Sequence, residues 1–214
     1  MLALAIEDGT LYAGGQFTFV GGQLRSRLAA IDADTGAVRA WGLSANNPVQ
    51  TLSIGDGIVY AGGSFTSVGG RRRRHFAAVD PSTGALTDWD PDGNGTVETL
   101  TVVDGTLYAG GSFTRLGAQV RSRLAAFDAS TGALTSWNLN SNQTVRALVV
   151  VVQDSTVYVG GQFTSIGGQT RERLARLDAS TGDVQNWNPG ADNTVWAMSI
   201  VDDVAYIGGQ FSTV

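Results

Sequence analysis

Apolar and polar residues along this chain fall into short runs broken by turn signals. Between residues 49 and 90 the runs are VQTLSIG (49–55), IVYAGGSFT (58–66), HFAAVD (75–80) and ALTDWD (85–90). Runs of this length, rich in Val, Ile, Thr and aromatic residues, predict β-strands. No window carries apolar residues at i, i+3, i+4 and i+7 over three turns, so no helix is expected. Asp56-Gly57 and Asp104-Gly105 suit two-residue hairpins, and Pro81 to Gly84 suits a type I turn.

The same four runs recur. The diglycine pairs Gly14-Gly15, Gly62-Gly63, Gly110-Gly111, Gly160-Gly161 and Gly208-Gly209 are spaced by 48, 48, 50 and 48 residues. Arg25, Arg73, Arg121 and Arg171 recur in step with them. So do Asp32, Asp80, Asp128 and Asp178, the Thr-Gly pairs that follow them, and Trp41, Trp89, Trp137 and Trp187. The units run approximately 1–48, 49–96, 97–144 and 145–194, with a half unit at 195–214. The repeat covers the whole chain, so a single domain is expected. The 50-residue interval holds VVVVQ at 149–153, which predicts a longer hairpin there.

Four antiparallel strands in ~40–50 residues, repeated, predict blades of an all-β propeller. The first three runs of each unit are apolar on both faces, as sheets covered on both sides require. The diglycine lets backbones approach where blades converge, and Trp on the fourth strand covers the neighbouring blade. The first two strands occur five times and the last two only four times. The ring is therefore expected to be five-bladed with an incomplete last blade, or an arc of a larger ring; a four-bladed ring with exchanged end strands is the third arrangement. An unpaired edge on the last blade predicts self-association. The start, MLALAIEDGT, has no basic leader and no long apolar stretch. It matches an internal repeat position, so a segment of something longer is expected.

The pattern YxGGxFTxxGGxxRxxLAAxDxxTGxxxxWxP resembles the bacterial delta-sixty repeat. It is similar to Kelch-like propellers in its diglycine and Trp. The resemblance implies a propeller from large secreted or surface-anchored bacterial proteins, and it supplies no catalytic residues. His75 departs from the Arg at 27, 123 and 173. Pro48 stands where Thr is usual, Leu43 and Leu139 stand where Pro91 and Pro189 do, and Ala118 replaces a loop glycine.

Composition narrows the partners. Net charge is −5, which argues against a sequence-independent nucleic-acid binder despite the run Arg71 to Arg74. By repeat position Arg73 is the ordinary blade arginine, and the other three are extra charges on one loop. No run approaches the ~18 apolar residues of a membrane span, so no membrane insertion is expected. With no cysteine, thiolate metal sites and disulfides are excluded.

The candidate chemistry is sparse. Asp88, Asp90, Asp92 and Asn94 match the first half of a calcium loop. The twelfth position is Thr99, with Glu98 one place early, and an ordinary Asp/Gly turn is the alternative. The repeated Arg and Asp read as structural, the Arg bracing a loop or stacking on Trp, the Asp capping a turn. One position varies while its neighbours stay nearly constant: Leu2, Gln50, Glu98, Arg146 and Trp196. It begins the inner strand and should ring one mouth of the axial channel. Gln50, Glu98, Arg146 and Trp196 are thus the candidate ligand residues, suited to a sugar or peptide. A lone His75 and the lack of a nucleophile motif leave no catalytic set. The expectation is a non-catalytic module, without an obligatory cofactor, displayed on a bacterial surface or outside the cell and contacting protein or glycan. The alternatives are an assembly element with no ligand, or a hydrolase using the central channel.

Overall fold

The computed structural model describes all 214 residues, and they contain no helix. Blade one holds β1 (Ala3–Glu7), β2 (Thr10–Gly14), the small pair β3 (Phe19–Val20) and β4 (Gln23–Leu24), and β5 (Leu28–Asp32). Blade two holds β6 (Val49–Gly55), β7 (Ile58–Gly63), β8 (Ser67–Val68), β9 (Arg71–Arg72) and β10 (Phe76–Val79). Blade three holds β11 (Val97–Val103), β12 (Thr106–Gly111), β13 (Arg115–Leu116), β14 (Gln119–Val120) and β15 (Leu124–Asp128). Blade four holds β16 (Val145–Val151), β17 (Thr156–Gly161), β18 (Ser165–Ile166), β19 (Gln169–Thr170) and β20 (Leu174–Asp178). Blade five holds only β21 (Val195–Val201) and β22 (Val204–Gly209).

Each complete blade is an antiparallel sheet ordered like β1-β2-β5, so the propeller repeat is present as the sequence predicts. The fourth strand is cut short. It pairs through one bridge per blade: Ile31 with Val38, Val79 with Leu86, Phe127 with Leu134, and Leu177 with Val184. Beyond the bridge the chain turns its Trp inward, and the next backbone carbonyl is taken by an arginine instead of a strand. Arg73 Nη2 donates to Thr87 O at 2.7 Å, and Arg121 Nη2 to Thr135 O at 3.1 Å. The two-residue strands before the third strand, such as β8 with β9, are hairpins that the sequence patterning does not reveal.

The hairpins joining the first two strands of blades one, two, three and five use left-handed backbone at both turn residues, as two-residue loops of this kind require. Asp104 and Gly105 have φ of 46° and 70°. Blade five does the same with Asp202 and Asp203, without glycine. The two extra residues of blade four lie in the turn, since β16 is as long as β11 and the loop spans 152–155.

The core lies between blades. One cluster joins Tyr12, Leu28, Trp41 and Leu43 of blade one to Val49, Leu52, Val59, Phe65 and Val79 of blade two. A second joins Tyr60 and Phe76 to Leu100, Leu107 and Phe113, and a third joins Tyr108 and Trp137 to Leu148, Val157 and Phe163. Successive inner strands β1, β6, β11, β16 and β21 pack on one another. The first and last blades do not, and Leu4, Ile6, Val204 and Tyr206 are exposed. The blades therefore fan out as an open arc with an incomplete fifth member.

Diglycine sets the closeness of that fan. A Cβ on Gly62 would lie 2.5 Å from Val97 Cγ1 of the next blade, and one on Gly110 would lie 2.8 Å from Val145 Cγ1. Only a residue without a Cβ lets the valine seat there.

Candidate functional site

The variable position falls on a β-bulge. Pairing slips between Val49 and Thr51, Val97 and Thr99, Val145 and Ala147, and Val195 and Ala197. The unmatched residues are Gln50, Glu98, Arg146 and Trp196. A bulge re-aims its extra side chain out of the regular alternation, so these four belong to neither packed blade face. Blade one has no such slip; Leu2 precedes β1 and donates its N–H to Gly14 O at 2.9 Å.

Three of the four meet. Arg146 Nη1 lies 3.5 Å from Glu98 Oε1, and Nη2 donates to Gln162 Oε1 at 3.5 Å. The Arg146 guanidinium carbon sits 4.2 Å from the centroid of the Trp196 ring. Both charged side chains are mostly buried, while Trp196 is 44% exposed. A low-dielectric setting strengthens the ion pair, and the indole face holds the cation flat. The result is a ledge across blades three, four and five: carboxylate, guanidinium, indole. Gln50 is not part of it. Its Oε1 is buried without a hydrogen-bond partner. Arg146 Nε is likewise buried and unpartnered. These residues lie on the innermost strands of successive blades, along the inner edge of the arc.

The acidic stretch at 88–94 does not gather as a metal site. Asp92 Oδ1 accepts from Arg72 Nη2 at 2.8 Å and lies 3.9 Å from Arg74 Nε. Asp90 is 3.6 Å from Arg73, and Asp88 is 3.5 Å from Arg71. Asn94 Oδ1 accepts the N–H groups of Thr114 and Arg115 at 2.8 and 2.9 Å. Asn46 and Asn142 hold the matching pairs Thr66 with Ser67 and Thr164 with Ser165. Asn94 is therefore one of a repeated set that locks the loop between blades onto the next small hairpin. Asp192 plays this part before blade five, accepting from Ser212 N at 2.8 Å. No group of three acidic or histidine side chains is arranged for a metal ion. These carboxylates are the counter-charges of the arginine run. The Asn46, Asn94, Asn142 spacing was the signal in the sequence that identifies Asn94 as structural.

The repeated Arg and Asp have separate tasks. Arg25, Arg73, Arg121 and Arg171 each donate to the carbonyl of the preceding residue and to one fourteen positions on. They tie the small hairpin to the fourth segment and do not stack on Trp. Asp32, Asp128 and Asp178 accept hydrogen bonds from the Ser or Thr that follows them. Those bonds favour the carboxylate and lower each pKa to about 2, and Asp80 is lowered in the same way. Each Trp packs on the Tyr of its own blade, with ring centroids 5.0 to 5.4 Å apart. Trp89 and Trp137 Nε1 donate to Gly132 O and Asp178 O of the next blade. Arg27, Arg123 and Arg173, a repeated set to which the sequence assigns no role, donate to Ala45 O, Ser141 O and Ala191 O from left-handed backbone. His75 stands in that place in blade two. It is half-buried, its Nδ1 lies 3.0 Å from Gly63 O, and burial pushes the imidazole pKa down.

Comparison with known proteins agrees with this architecture. A family described as a beta-propeller domain of unknown function (DUF5122) matches residues 7–34 and 153–184. No curated protein matches the sequence. Among solved structures, the extracellular domain of BT4673 from B. thetaiotaomicron is 14% identical with a TM-score of 0.64. That likeness covers 97% of this chain and 25% of the other, so this chain spans about a quarter of its length. The computationally designed Ika8 protein is 16% identical with a TM-score of 0.56, over 96% of this chain and 67% of that one. The designed Ika4 protein is 18% identical with a TM-score of 0.53, over 78% and 89%. These matches support a β-propeller repeat family.

Proposed function

We propose that this chain is a non-catalytic propeller module of the delta-sixty-repeat kind, binding a protein or glycan outside a bacterial cell or on its surface. The observation that carries the reading is the ledge of Glu98, Arg146 and Trp196. The bulge frees these side chains from packing duty, and a half-exposed indole beside a fixed charged pair suits a sugar ring or a peptide. The non-catalytic part is supported by how the repeated carboxylates are used: each is bound up in its own turn. The extracellular part is supported by BT4673, whose likeness is to an extracellular domain.

The test is a glycan and peptide array followed by calorimetric titration of any ligand it finds. A ligand should bind the native chain and lose at least about tenfold in affinity, ~1.4 kcal/mol, with Trp196→Ala or Arg146→Ala. Binding unaffected by both substitutions would remove the ledge as the site. An array with no ligand at all would favour an assembly element.

A further inference from the structure

The clefts between complete blades close alike at their hairpin end, with one exception. Tyr60 OH donates to Ala129 O at 3.1 Å and Tyr108 OH to Ala179 O at 3.2 Å. Trp89 and Trp137 add their Nε1 bonds to the same turns. Between blades one and two none of these bonds forms. The Tyr12 hydroxyl reaches no acceptor on blade two, although Tyr12 is 4% exposed, and Trp41 Nε1 is buried without a partner. Pro81 accounts for the difference. In blades one, three and four the residue after the repeated Asp donates its N–H to the hairpin tip of its own blade. Ala33 bonds Gly9 O, Ala129 bonds Gly105 O and Ala179 bonds Ser155 O, at 2.9, 2.8 and 2.8 Å. Pro81 has no N–H to donate, so the turn at 80–84 lacks that anchor and blade one finds no latch on it.

The unlatched cleft holds a cavity of about 220 Å³, lined by Glu7, Asp8, Thr10, Tyr12, Arg39 and Ser82 beside Pro81. The corresponding cavities between later blades have apolar walls, Val103, Val150 and Val152 in one, Ile58 and Trp89 in the other. The hydrogen-bonding capacity of the first cavity is mostly that of an acceptor. Arg39 is paired with Asp32 at 2.9 Å and donates to Gly9 O, which leaves Glu7 and Asp8 without a counter-charge. Ser82 Oγ commits its proton to Asp80 Oδ1 at 2.6 Å and presents lone pairs. The hydroxyls of Thr10 and Tyr12 accept as well as donate. The surrounding field has the same sign. Each of the five hairpin tips carries an aspartate, as does each of the four turns after the third strand. Of the 14 arginines only Arg39 and Arg176 lie at this end. A face of one sign concentrates counter-ions. No three acidic or histidine side chains are arranged for a metal ion, so the cation that fits is organic.

We infer that the cleft between blades one and two binds a primary ammonium group, from a small free amine or from a lysine side chain of a partner. Glu7 and Asp8 supply the counter-charge and charge-assisted hydrogen bonds. The oxygens of Tyr12, Thr10 and Ser82 accept the N–H groups that remain. The lysine does not come from a second copy of this chain, which contains none.

NMR titration of the ¹⁵N-labelled chain tests this. Butylammonium chloride at low salt should shift the Ser82 amide and the Trp41 indole signals with a Kd of about 1 mM. Glu7→Gln combined with Asp8→Asn should weaken binding about tenfold or more, and Tyr12→Phe about threefold. Pro81→Ala restores the missing N–H and latches the cleft, so it should also weaken binding at least about tenfold. Trp196→Ala, on the ledge, should change nothing. The peptide acetyl-Gly-Lys-Gly-amide separates the two sources. An affinity at least about tenfold above that of butylammonium assigns the site to a partner's lysine, and an equal or lower one to a free amine. The absence of any shift at about 20 mM butylammonium overturns the inference. So does binding that survives Pro81→Ala at native strength, and so does displacement of butylammonium by an equal concentration of calcium chloride.

Discussion

Four arginines make the same two backbone hydrogen bonds in four different settings, which allows one interaction to be weighed against burial. Arg121 is buried and donates to Val120 O at 3.0 Å and Thr135 O at 3.1 Å, with no carboxylate partner. Arg121→Met keeps the aliphatic stem and its packing but removes both bonds. Hydrogen bonds to a charged donor contribute ~1.5–3 kcal/mol each. Removing a buried charge returns part of that through relieved desolvation. The expected net loss is about 1.5–3 kcal/mol, which for ~200 residues lowers Tm by about 4–10 °C. Arg171→Met should match it, since Arg171 is equally buried and bonds Thr170 O and Gln185 O. Arg25 makes the same pair of bonds to Leu24 O and Arg39 O but is more exposed. Water can satisfy the freed carbonyls there, so Arg25→Met should cost only about 0.5–1 kcal/mol. Arg73→Met should cost the most, because it also strands Asp90, 3.6 Å away. Urea unfolding and calorimetry on the four variants give the order. A stability of Arg121→Met at or above the native chain would show that the buried charge, not its bonds, dominates. Equal losses at Arg25 and Arg121 would show that burial does not set the scale.

Two further outcomes follow from the same geometry. Asp32, Asp128, Asp178 and Asp192 have pKa values lowered to about 2 from an ordinary 3.8 by hydrogen bonds to Ser or Thr. Their folded values lie below the unfolded ones, so their contribution is complete above about pH 4 and lost as pH falls toward 2. Melting curves across that window should show a steep fall that Asp128→Asn makes shallower; an unchanged slope would sink this account of the turns. Gly110→Ala should destabilise by about 1–3 kcal/mol because its Cβ meets Val145 and Thr99 at 2.8 Å. Gly208→Ala, with open space around it, should stay within about 0.5 kcal/mol of the native chain. Equal effects at the two positions, by calorimetry on dilute protein, would refute the close approach of blades as the reason for the first glycine.

The sequence made the blade legible because its parts are local. Short apolar runs, Asp-Gly turns and a recurring Trp each act within one repeat, and recurrence in four or five copies separated them from noise. Besides the small hairpins such as β8 with β9, two features were not legible. The fourth strand reads as ALTDWD, yet pairing stops at Leu86 because Arg73 takes the carbonyl of Thr87, and nothing in the strand's own residues announces an outside donor. The pairing of Arg71 to Arg74 with Asp88, Asp90 and Asp92 likewise joins a loop to a segment about 17–20 residues away. Only the fold brings them opposite one another. Asn94 shows the converse case. Read alone in DWDPDGNG it suits a cation; read at 48-residue spacing beside Asn46 and Asn142 it is a loop clamp.

The bulge explains why one position is free to differ while its neighbours are not. Val97 must fill the gap over Gly62, and Thr99 must sit against Gly110, so both are fixed by contact with a glycine. Glu98 lies between them with no counterpart on β12, because pairing passes from Val97–Gly111 directly to Thr99–Gly110. A side chain outside both packed faces contributes little to blade stacking, so substitution there costs the fold little. The same slip in four successive blades places four such residues along the inner edge of the arc. Three have become a carboxylate, a guanidinium and an indole close enough to interact across blade boundaries. Blade stacking is thereby held by the residues that flank the bulge, so exchanging the chemistry of the ledge leaves that stacking intact.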